Sequence, residues 1–283
     1  MTLPERVASD GAFPFGRPNG PRDLTWRGTG TPRLLVVGVY PSALHVRWVA
    51  PRSLETPAGG IGRVTAMAVD VEPEVFWRGD DADGLVERWK DAISFIDGDE
   101  PGCDGHASAH GNGPSGRTVD TYLDVLAIAP TDTAYLDVYP VFVVHHGSAS
   151  QGLAVRRDYD PIATHLGAGG RSESTLPRRP SATQLPQMAA ARFGDWLRET
   201  IDSLQPDLVV TLGAESWDAL ALARGIAIKH AAASLADTKT AYGNPGELTV
   251  ADTTIPWIPL VHPGLLGKNA EWAARHRQWA DSR

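Results

Sequence analysis

Two polar side chains, Asp137 and His262, interrupt or end apolar runs that are typical of buried strands. Asp137 lies inside AYLDVYPVFVV (residues 134–144), and His262 directly follows IPWIPLV (residues 255–261). A carboxylate is costly to bury without a partner, so Asp137 is either a capping or turn residue or a group aimed at a ligand. His262 is either a polar cap or a hydrogen-bond donor in a site. Both are therefore candidates for chemistry.

The loop after the first apolar run, LLVV (residues 34–37), is the third candidate. The run indicates a buried parallel strand, and the glycine after it permits a tight turn or the close approach of a ligand. In open α/β sheets, ligands bind outside the carboxyl ends of the strands. The candidate loop residues are Gly38, Val39, Tyr40, Pro41, Ser42 and, further on, His45.

A Cys-x2-His-x3-His spacing, formed by Cys103, His106 and His110, invites comparison with zinc sites. A fourth ligand is not obvious, with Asp104 the candidate, and a tract of Gly, Ser and His is more often a surface loop. The single cysteine excludes an intramolecular disulfide and a cluster held by four thiolates. We expect no metal, no iron–sulfur cluster and no cofactor.

The elements that must position these residues alternate along the chain between apolar runs and amphipathic stretches. The predicted strands cover residues 34–37, 134–144, 208–212 and 255–261, and the predicted helices cover residues 84–96, 118–128, 187–204, 216–224 and 268–279. This alternation predicts a three-layer α/β/α fold with a central, mostly parallel four-stranded sheet. Residues 243–254 are predicted to form a short hairpin-like connection.

The chain is predicted to form one domain, residues 32–283, preceded by an arm, residues 1–31. The arm is rich in Pro, Gly and Arg, and we expect it to drape over the domain or to be partly disordered. A long loop insertion at about residues 147–186 carries arginines that either grip phosphates or are simply solvated. The arginines considered for DNA binding are Arg156, Arg157, Arg178 and Arg179.

The composition limits the class of protein. The 283 residues include 26 basic and 34 acidic side chains, for a net charge of −8. This balance argues against a protein that wraps nucleic acid, but it allows a local basic patch. No apolar run reaches membrane-spanning length, and the N-terminus lacks the core of a signal peptide. We expect a soluble, cytoplasmic monomer.

Four segments, in order along the chain, resemble motifs of the uracil-DNA glycosylase superfamily. They are LLVVGVYPS (residues 34–42), YLDVYPVF (residues 135–142), QPDLVVTLG (residues 205–213) and LVHPGLL (residues 260–266). The first resembles the family's strand with Gly-x-x-Pro, and the second resembles the strand whose asparagine reads uracil. The third resembles the strand before a helix, and the last resembles the His-Pro-Ser/Gly loop. The arm and the insertion have no counterpart in the family.

The resemblance implies a DNA partner and hydrolysis of the bond between a base and deoxyribose, after the nucleotide is flipped out of the duplex. It implies that His262 stabilises the negative charge that develops on the departing base. It also implies a wedge after Pro263 and Gly264, where Leu265 or Leu266 fills the gap left in the duplex. No lysine has a neighbourhood suited to a lyase step, so we expect a monofunctional hydrolase.

The first loop departs from the family pattern at the residues before its proline. Several branches carry Asp or Asn there to position the attacking water. This chain has Val39 and Tyr40, and an unperturbed tyrosine keeps its proton until about pH 10. Either another group positions the water, with His45, Asp137 and Glu55 as candidates, or the leaving base needs little help. The third alternative is a catalytically inert DNA-binding protein of the same fold.

Asp137 departs from the family pattern in the second motif, where the uracil-reading asparagine would stand. An ionised carboxylate only accepts hydrogen bonds, so it suits an exocyclic amino group, as on cytosine, better than the O4 of uracil. We therefore expect a modified cytosine with a bulky 5-substituent, such as phage DNA carries, and a role in defence or repair. Small residues at Gly59, Gly60 and Gly62 would leave room for the substituent.

An enzyme that acts on a free nucleotide or nucleoside is a further possibility, favoured by the negative net charge. It predicts no salt-dependent affinity for DNA, whereas a protein that grips phosphates must lose affinity as the salt concentration rises.

Overall fold

The structure is a computed structural model that describes residues 12–13, 17–49, 64–92, 106–107, 114–145, 147–148, 151–160, 176–226 and 242–283. The strands, in chain order, are β1 (Ala12–Phe13), β2 (Arg17–Pro18), β3 (Leu34–Gly38), β4 (Ala43–Val49), β5 (Val64–Val71), β6 (His106–Ala107), β7 (Thr133–Asp137), β8 (Leu208–Leu212), β9 (Gly246–Val250) and β10 (Thr253–Leu260). The α-helices are α1 (Ala82–Ala92), α2 (Pro114–Leu123), α3 (Gln151–Ala154), α4 (Gln184–Leu204), α5 (Ala214–Ala223) and α6 (Ala270–Asp281).

The central sheet has five strands in the order β7-β3-β8-β10-β9. The pairs β3–β7, β3–β8 and β8–β10 are parallel, while β9 pairs antiparallel with β10. The predicted α/β class with a mostly parallel sheet is therefore confirmed. The predicted number of four strands is wrong, because the connection predicted before the last strand is a hairpin whose first arm, β9, adds an antiparallel edge.

Alternate residues of β3 face opposite layers of helices, as the two-residue period of a strand requires. Leu35 and Val37 belong to a buried cluster with residues of α4 and α5, whereas Leu34 and Val36 belong to a cluster with residues of α2 and α6. Helices thus cover both faces of the sheet. Because β3 is buried on both sides, its sequence is apolar without alternation.

The second predicted strand is shorter than its apolar run. The run extends over residues 134–144, but β7 ends at Asp137. Residues 138–144 remain buried without continuing the strand, and their apolar character comes from packing rather than from sheet pairing. Burial alone therefore made this stretch look like a longer strand.

A three-stranded antiparallel sheet, in the order β5-β4-β6, is formed by residues between β3 and β7 in the chain and was not predicted. Its first two strands form a long pairing from Ala43↔Val71 to Val49↔Val64. The predicted loop insertion is also partly helical, because α3 continues into a π-helical turn, Val155–Tyr159. Neither region is part of the alternation of strands and helices from which the fold was predicted.

The part of the arm next to the domain packs into it. The main chain of Thr25 forms an isolated antiparallel bridge with Tyr135, on β7. Asn19 is buried, and its side-chain amide donates to the carbonyl of Phe142 at 2.9 Å. The arm therefore drapes over the carboxyl end of β7, which brings its side chains to the edge where a site is expected.

Candidate functional site

A cavity of about 1080 Å³ opens at the carboxyl ends of the parallel strands. Each of the four parallel strands contributes residues from the segment at its carboxyl end, namely Tyr40 after β3, Asp137 at the end of β7, Glu215 after β8 and His262 after β10. The motif loops that the sequence singled out therefore meet around one space. This is where ligands bind in open α/β sheets.

Asp137 is paired with Arg22, a residue of the arm. Arg22 Nη2 lies 3.2 Å from Asp137 Oδ2, and the two residues are 9 % and 4 % exposed. Arg22 Nη1 also donates to the carbonyls of Glu72 and Glu74, at the end of the β4–β5 hairpin. Burial raises the pKa of Asp137 to about 6, although the neighbouring guanidinium opposes the shift. Asp137 thus has the partner that a buried carboxylate needs, and one of its oxygens is already engaged.

Gly38 leaves space for the other oxygen of Asp137. A Cβ at position 38 would lie 2.3 Å from Asp137 Oδ1 and 3.2 Å from the ring of Phe76. The carboxylate therefore extends over the last residue of β3, where only glycine permits such a close approach. Asp137 Oδ1 and Phe76 consequently flank the same backbone position at the cavity wall.

Phe76 presents an aromatic ring to the cavity from a strained backbone conformation. Its φ of 52° is in the left-handed region, which a bulky residue rarely adopts. The ring centroid lies 6.3 Å from that of His262 and 5.9 Å from that of Tyr135. A planar apolar surface thus lies near both polar groups, Asp137 and His262, as a pocket for a planar ligand requires.

His262 is held as a neutral imidazole with a defined tautomer. The backbone N–H of Gly264 donates to Nδ1 at 3.1 Å, within the short 3-10 turn Pro263–Leu265. Burial lowers the pKa of His262 to about 4, against the opposing charge of Glu215. Because Nδ1 accepts, the proton of the neutral ring resides on Nε2, which has no hydrogen-bond partner among the described residues. The site therefore offers one N–H donor at this position.

A hydrogen-bond network fixes the backbone that carries His262. The hydroxyl of Tyr122, on α2, donates to the carbonyl of Val261 and lies 2.9 Å from the hydroxyl of Tyr242. The Tyr242 hydroxyl lies 3.1 Å from Nδ1 of His276, whose ring stacks on Tyr122. The helix α6 that carries His276 begins where the Asn269 side chain accepts from two backbone N–H groups. The residue before His262 is thus tied to two helices.

Tyr40, Arg179 and Glu215 form a contiguous row along another part of the cavity. The guanidinium carbon of Arg179 lies 5.5 Å from the centre of the Tyr40 ring, and its Nη2 lies 2.7 Å from Glu215 Oε1. Burial raises the pKa of Tyr40 further above its ordinary value, so the phenol is neutral. Tyr40 therefore cannot supply a negative charge where the family pattern would carry an acid.

The remaining candidate residues of the loop after β3 line the cavity but add no charge to it. Val39, Pro41, Ser42 and His45 all contribute to its wall. Burial lowers the pKa of His45, which keeps its imidazole neutral at neutral pH. The backbone carbonyl of Ser42 accepts from the N–H of Glu72 at 2.9 Å, so this loop is joined to the hairpin end that holds Arg22.

The two leucines after His262 have different environments. Leu265 is 43 % exposed and lines the cavity, whereas Leu266 is partly buried against the cluster that includes Leu260 and Trp279. Pro263 is buried and Gly264 is exposed. Of the two residues considered as a wedge, Leu265 is therefore the one that a duplex could reach.

The four arginines of the insertion do not form one cluster. Arg156 and Arg157 are exposed on the π-helical turn, and Arg178 is exposed beside Val144. Arg179, which was considered for phosphate contacts, instead lines the cavity and is ion-paired with Glu215. Of these two adjacent arginines, Arg179 thus lines the cavity, while Arg178 is exposed.

Sequence reasoning did not identify Arg22, Phe76 or Glu215 as site residues. The need for a partner to Asp137 was a signal for a cation, but the sequence offers many arginines and no pattern that selects the one at position 22. Phe76 and Glu215 do not belong to a recognisable sequence motif. They are identified only because the structure brings the end of the β4–β5 hairpin and the ends of the parallel strands together. Glu55, Gly59, Gly60, Gly62, Cys103 and His110 lie outside the described residues, and the side chain of His106 is likewise not described.

Within the described residues, no three His, Cys, Asp or Glu side chains are grouped so that they could hold a metal ion. None of the helices in that part of the chain combines the length and the apolar character needed to cross a membrane. A scan against protein-family models finds no model that matches the chain, and a search of curated proteins finds no match either.

Proposed function

We propose that the protein is a DNA glycosylase of the uracil-DNA glycosylase type, which hydrolyses the N-glycosidic bond of a flipped, non-canonical base. The observation that supports this most is that Asp137, at the end of β7, and His262, after β10, line one cavity with the ring of Phe76 near both. A base needs these features: a flat apolar surface, a polar group for its edge and a donor for its departing charge.

His262 serves as the donor to the departing base. The bond between sugar and base breaks with its electron pair on the base, and the Nε2–H stabilises the resulting negative charge through a hydrogen bond. A neutral imidazole can do this without giving up its proton, and its low pKa of about 4 keeps it neutral across the physiological range. Preorganised donors of this kind contribute about 10²–10³-fold to the rate.

Asp137 reads the edge of the base. Oδ2 is engaged by Arg22, so Oδ1 is the atom left to face a ligand. As a carboxylate it accepts from the amino group of a cytosine-type base. The cavity, about 1080 Å³, is at the upper end of the range for sites that hold drug-sized ligands. That volume favours a base with a bulky substituent over a bare pyrimidine.

The test is base release from duplexes that carry uracil, cytosine, 5-hydroxymethylcytosine or its glucosylated form. Freed bases are measured by mass spectrometry, and abasic sites by alkaline cleavage. We expect release from a modified cytosine and little from uracil, with the His262→Ala variant inactive but still able to bind. Asp137→Asn should move the preference toward uracil, because an amide also donates. Release of uracil alone by the wild-type protein would keep the class of enzyme and contradict the choice of base.

The identity of the base implies a role. A modified cytosine that is abundant in phage DNA and absent from the host would be removed only from the invader, which favours defence over repair. We expect expression of the wild-type protein, but not of His262→Ala, to lower the plating of a phage whose DNA carries the modified base.

A catalytically inert DNA-binding protein is the second candidate, and Tyr40 favours it. The phenol is neutral and covered by Arg179, so the first loop has no acid to position water. This candidate predicts duplex binding with no base released from any member of the panel, whether or not His262 is changed.

A further inference from the structure

The first loop lacks an acid, but the neighbouring strand brings one to the same edge of the sheet. β3 and β8 are adjacent and parallel, with Val37 paired to Thr211. The residues that follow the two strands therefore leave the sheet side by side. Val39 and Tyr40 follow β3, while Gly213 and Glu215 follow β8.

The position of the Glu215 carboxylate is defined by its neighbours. The point where a Cβ on Gly213 would stand lies 3.8 Å from Glu215 Oε2 and 3.5 Å from Val39 Cγ2. Oε1 accepts from Arg179 Nη2 at 2.7 Å, and Arg179 in turn covers the ring of Tyr40. Oε2 has no hydrogen-bond partner among the described residues. One oxygen is thus anchored, and the other is available beside the loop that lacks an acid.

Glu215 lines the same cavity as the leaving-group donor, His262, and is favourably placed for a negative charge. It lies in the first turn of α5, where the N-terminal backbone groups of a helix favour an anion. Its charge acts on His262 and raises the pKa of that imidazole, while burial lowers it by more. The carboxylate and the imidazole therefore line one cavity from the ends of adjacent parallel strands, β8 and β10.

The other groups around the cavity are less suited to handle water. Asp137 is engaged by Arg22, and burial raises its pKa to about 6, so part of it is protonated near neutral pH. Glu72 is buried on the same side, where its charge acts on Arg22. His45 is half-buried, and burial lowers its pKa, so its imidazole accepts a proton less readily than an ordinary histidine does. Three carboxylates line the cavity in the described part of the chain. Asp137 and Glu72 interact with Arg22, and Glu215 is the one that does not.

We propose that Glu215 is the catalytic residue that orients the attacking water and accepts its proton. The inference rests on the proposed glycosylase activity. A solvent water forms the new bond from its oxygen to C1′ of the deoxyribose, and the bond from C1′ to the base breaks with its electron pair on the base. The water's proton goes to Glu215, while Nε2–H of His262 stabilises the departing base. The departing base then takes up a proton from the site or from solvent, so that the free base and an abasic sugar are the products.

The test compares Glu215→Gln with the wild-type protein in single-turnover release from the duplex of the panel that the wild type cuts best. Gln keeps the shape and can still accept from Arg179, but it cannot take a proton. We expect the release rate to fall by about 10²–10⁴-fold with unchanged duplex binding. Glu199→Gln, on the exposed side of α4, is the matched control and should release base at the wild-type rate.

Chemical rescue by formate and substitution of Glu215 by Asp distinguish a catalytic role from a purely structural one. Glu215→Ala should recover part of its activity in sodium formate, because a free carboxylate can occupy the vacated space, and His262→Ala should not. Glu215→Asp should retain more activity than Glu215→Gln. Wild-type release by Glu215→Gln, or a loss of duplex binding and thermal stability without any rescue by formate, overturns the role of Glu215 while the glycosylase stands. A wild-type protein that releases no base overturns both.

Discussion

Asp137 and His262 have pKa values shifted in opposite directions by the same cause, burial at the end of a strand. Burial raises the pKa of Asp137 to about 6 and lowers that of His262 to about 4. Each shift favours the neutral form. The site therefore presents a neutral donor and a carboxyl group that is mostly ionised at pH 7 and changes its charge near pH 6.

These shifts predict opposite contributions to acid stability. Between pH 6.5 and about 4, the unfolded chain binds a proton at His262 that the folded protein does not, so His262 destabilises the fold as the pH falls. Between about pH 6 and 3.8, the folded protein binds the proton at Asp137 more tightly, so Asp137 adds stability as the pH falls. We expect the loss of melting temperature from pH 7 to pH 5 to be smaller in His262→Gln and larger in Asp137→Asn than in the wild type. Identical losses in all three proteins would contradict the assignment.

Gly38 is a residue whose side chain would collide with the site. A Cβ there would lie 2.3 Å from Asp137 Oδ1. We expect Gly38→Ala to cost about 1–3 kcal/mol of unfolding free energy, because the carboxylate and Phe76 must shift, and to reduce base release. Denaturant unfolding measures the first effect. Gly20→Ala is the control, since a Cβ there would meet nothing within 4 Å, and a loss of stability equal to that of Gly38→Ala would count against the explanation.

At the scale of elements, the site depends on parts that are not in the central sheet. The arm supplies Arg22, and the end of the β4–β5 hairpin supplies the carbonyls of Glu72 and Glu74 that hold it. The arm is also joined to β7 through the bridge between Thr25 and Tyr135. The Asp137 carboxylate is thus positioned by three segments distant in sequence, so changes in the arm should affect the proposed base specificity as well as stability.

The helices α2 and α6 hold the His262 loop through Tyr122. Removing its hydroxyl in Tyr122→Phe leaves the carbonyl of Val261 without this donor, which costs about 1–3 kcal/mol when a buried acceptor is left unsatisfied. The next residue is His262, so its imidazole should also be displaced slightly. We expect base release to fall about ten-fold or more, because small misplacements of reacting groups cause large losses of rate. Unfolding and single-turnover release measure the two effects.

Tyr139→Phe is the matched control for that prediction. Its hydroxyl accepts from Arg192 Nη1 at 2.8 Å, and Tyr139 belongs to the buried cluster on the opposite face of the sheet. It should lose comparable stability and keep its rate of release. Equal rates for the two variants would show that the Tyr122 network does not position His262.

At the scale of the whole molecule, charges are distributed unevenly although the net charge is −8. Lys268 lies at the cavity beside the exposed Leu265, and Arg178 is exposed next to the cavity residue Arg179. The first part of α1 instead exposes acidic side chains, among them Asp83 and Glu87. An acidic protein can therefore still bind DNA, provided that the duplex approaches the cavity side.

The salt dependence of DNA binding tests this orientation. We expect the affinity for a duplex to fall as the salt concentration rises, and the slope of log K against log salt to decrease by about 1 for each phosphate contact removed by Lys268→Gln or Arg178→Gln. Arg33→Gln is the control, because Arg33 precedes β3 at the opposite end of the strand and pairs with Asp207. An affinity independent of salt would favour an enzyme that acts on free nucleotides.

The sequence by itself determined the parallel part of the sheet and the loops that meet around the cavity at its carboxyl edge. Strands buried on both faces must be apolar throughout, so the glycine or polar residues in or after such runs, Gly38, Asp137 and His262, are visible in the sequence. The end of β7 at Asp137 is not, because the apolar run continues to residue 144. Local patterns of this kind depend on residues close in the chain. Predictions from them succeeded wherever βα alternation holds.

Only the tertiary structure decided which groups accompany those residues. Arg22, Phe76 and Glu215 reach the cavity from an arm, a hairpin end and a helix start, and nothing in their local sequence distinguishes them from other arginines, aromatics and acids. The antiparallel strands β4 and β5 were also missed, because they form a hairpin outside the central sheet and its alternation of strands and helices. Contacts between distant segments depend on how the whole chain packs. The partner of Asp137 and the acid beside Tyr40 could therefore be recognised only once the strand ends were brought together.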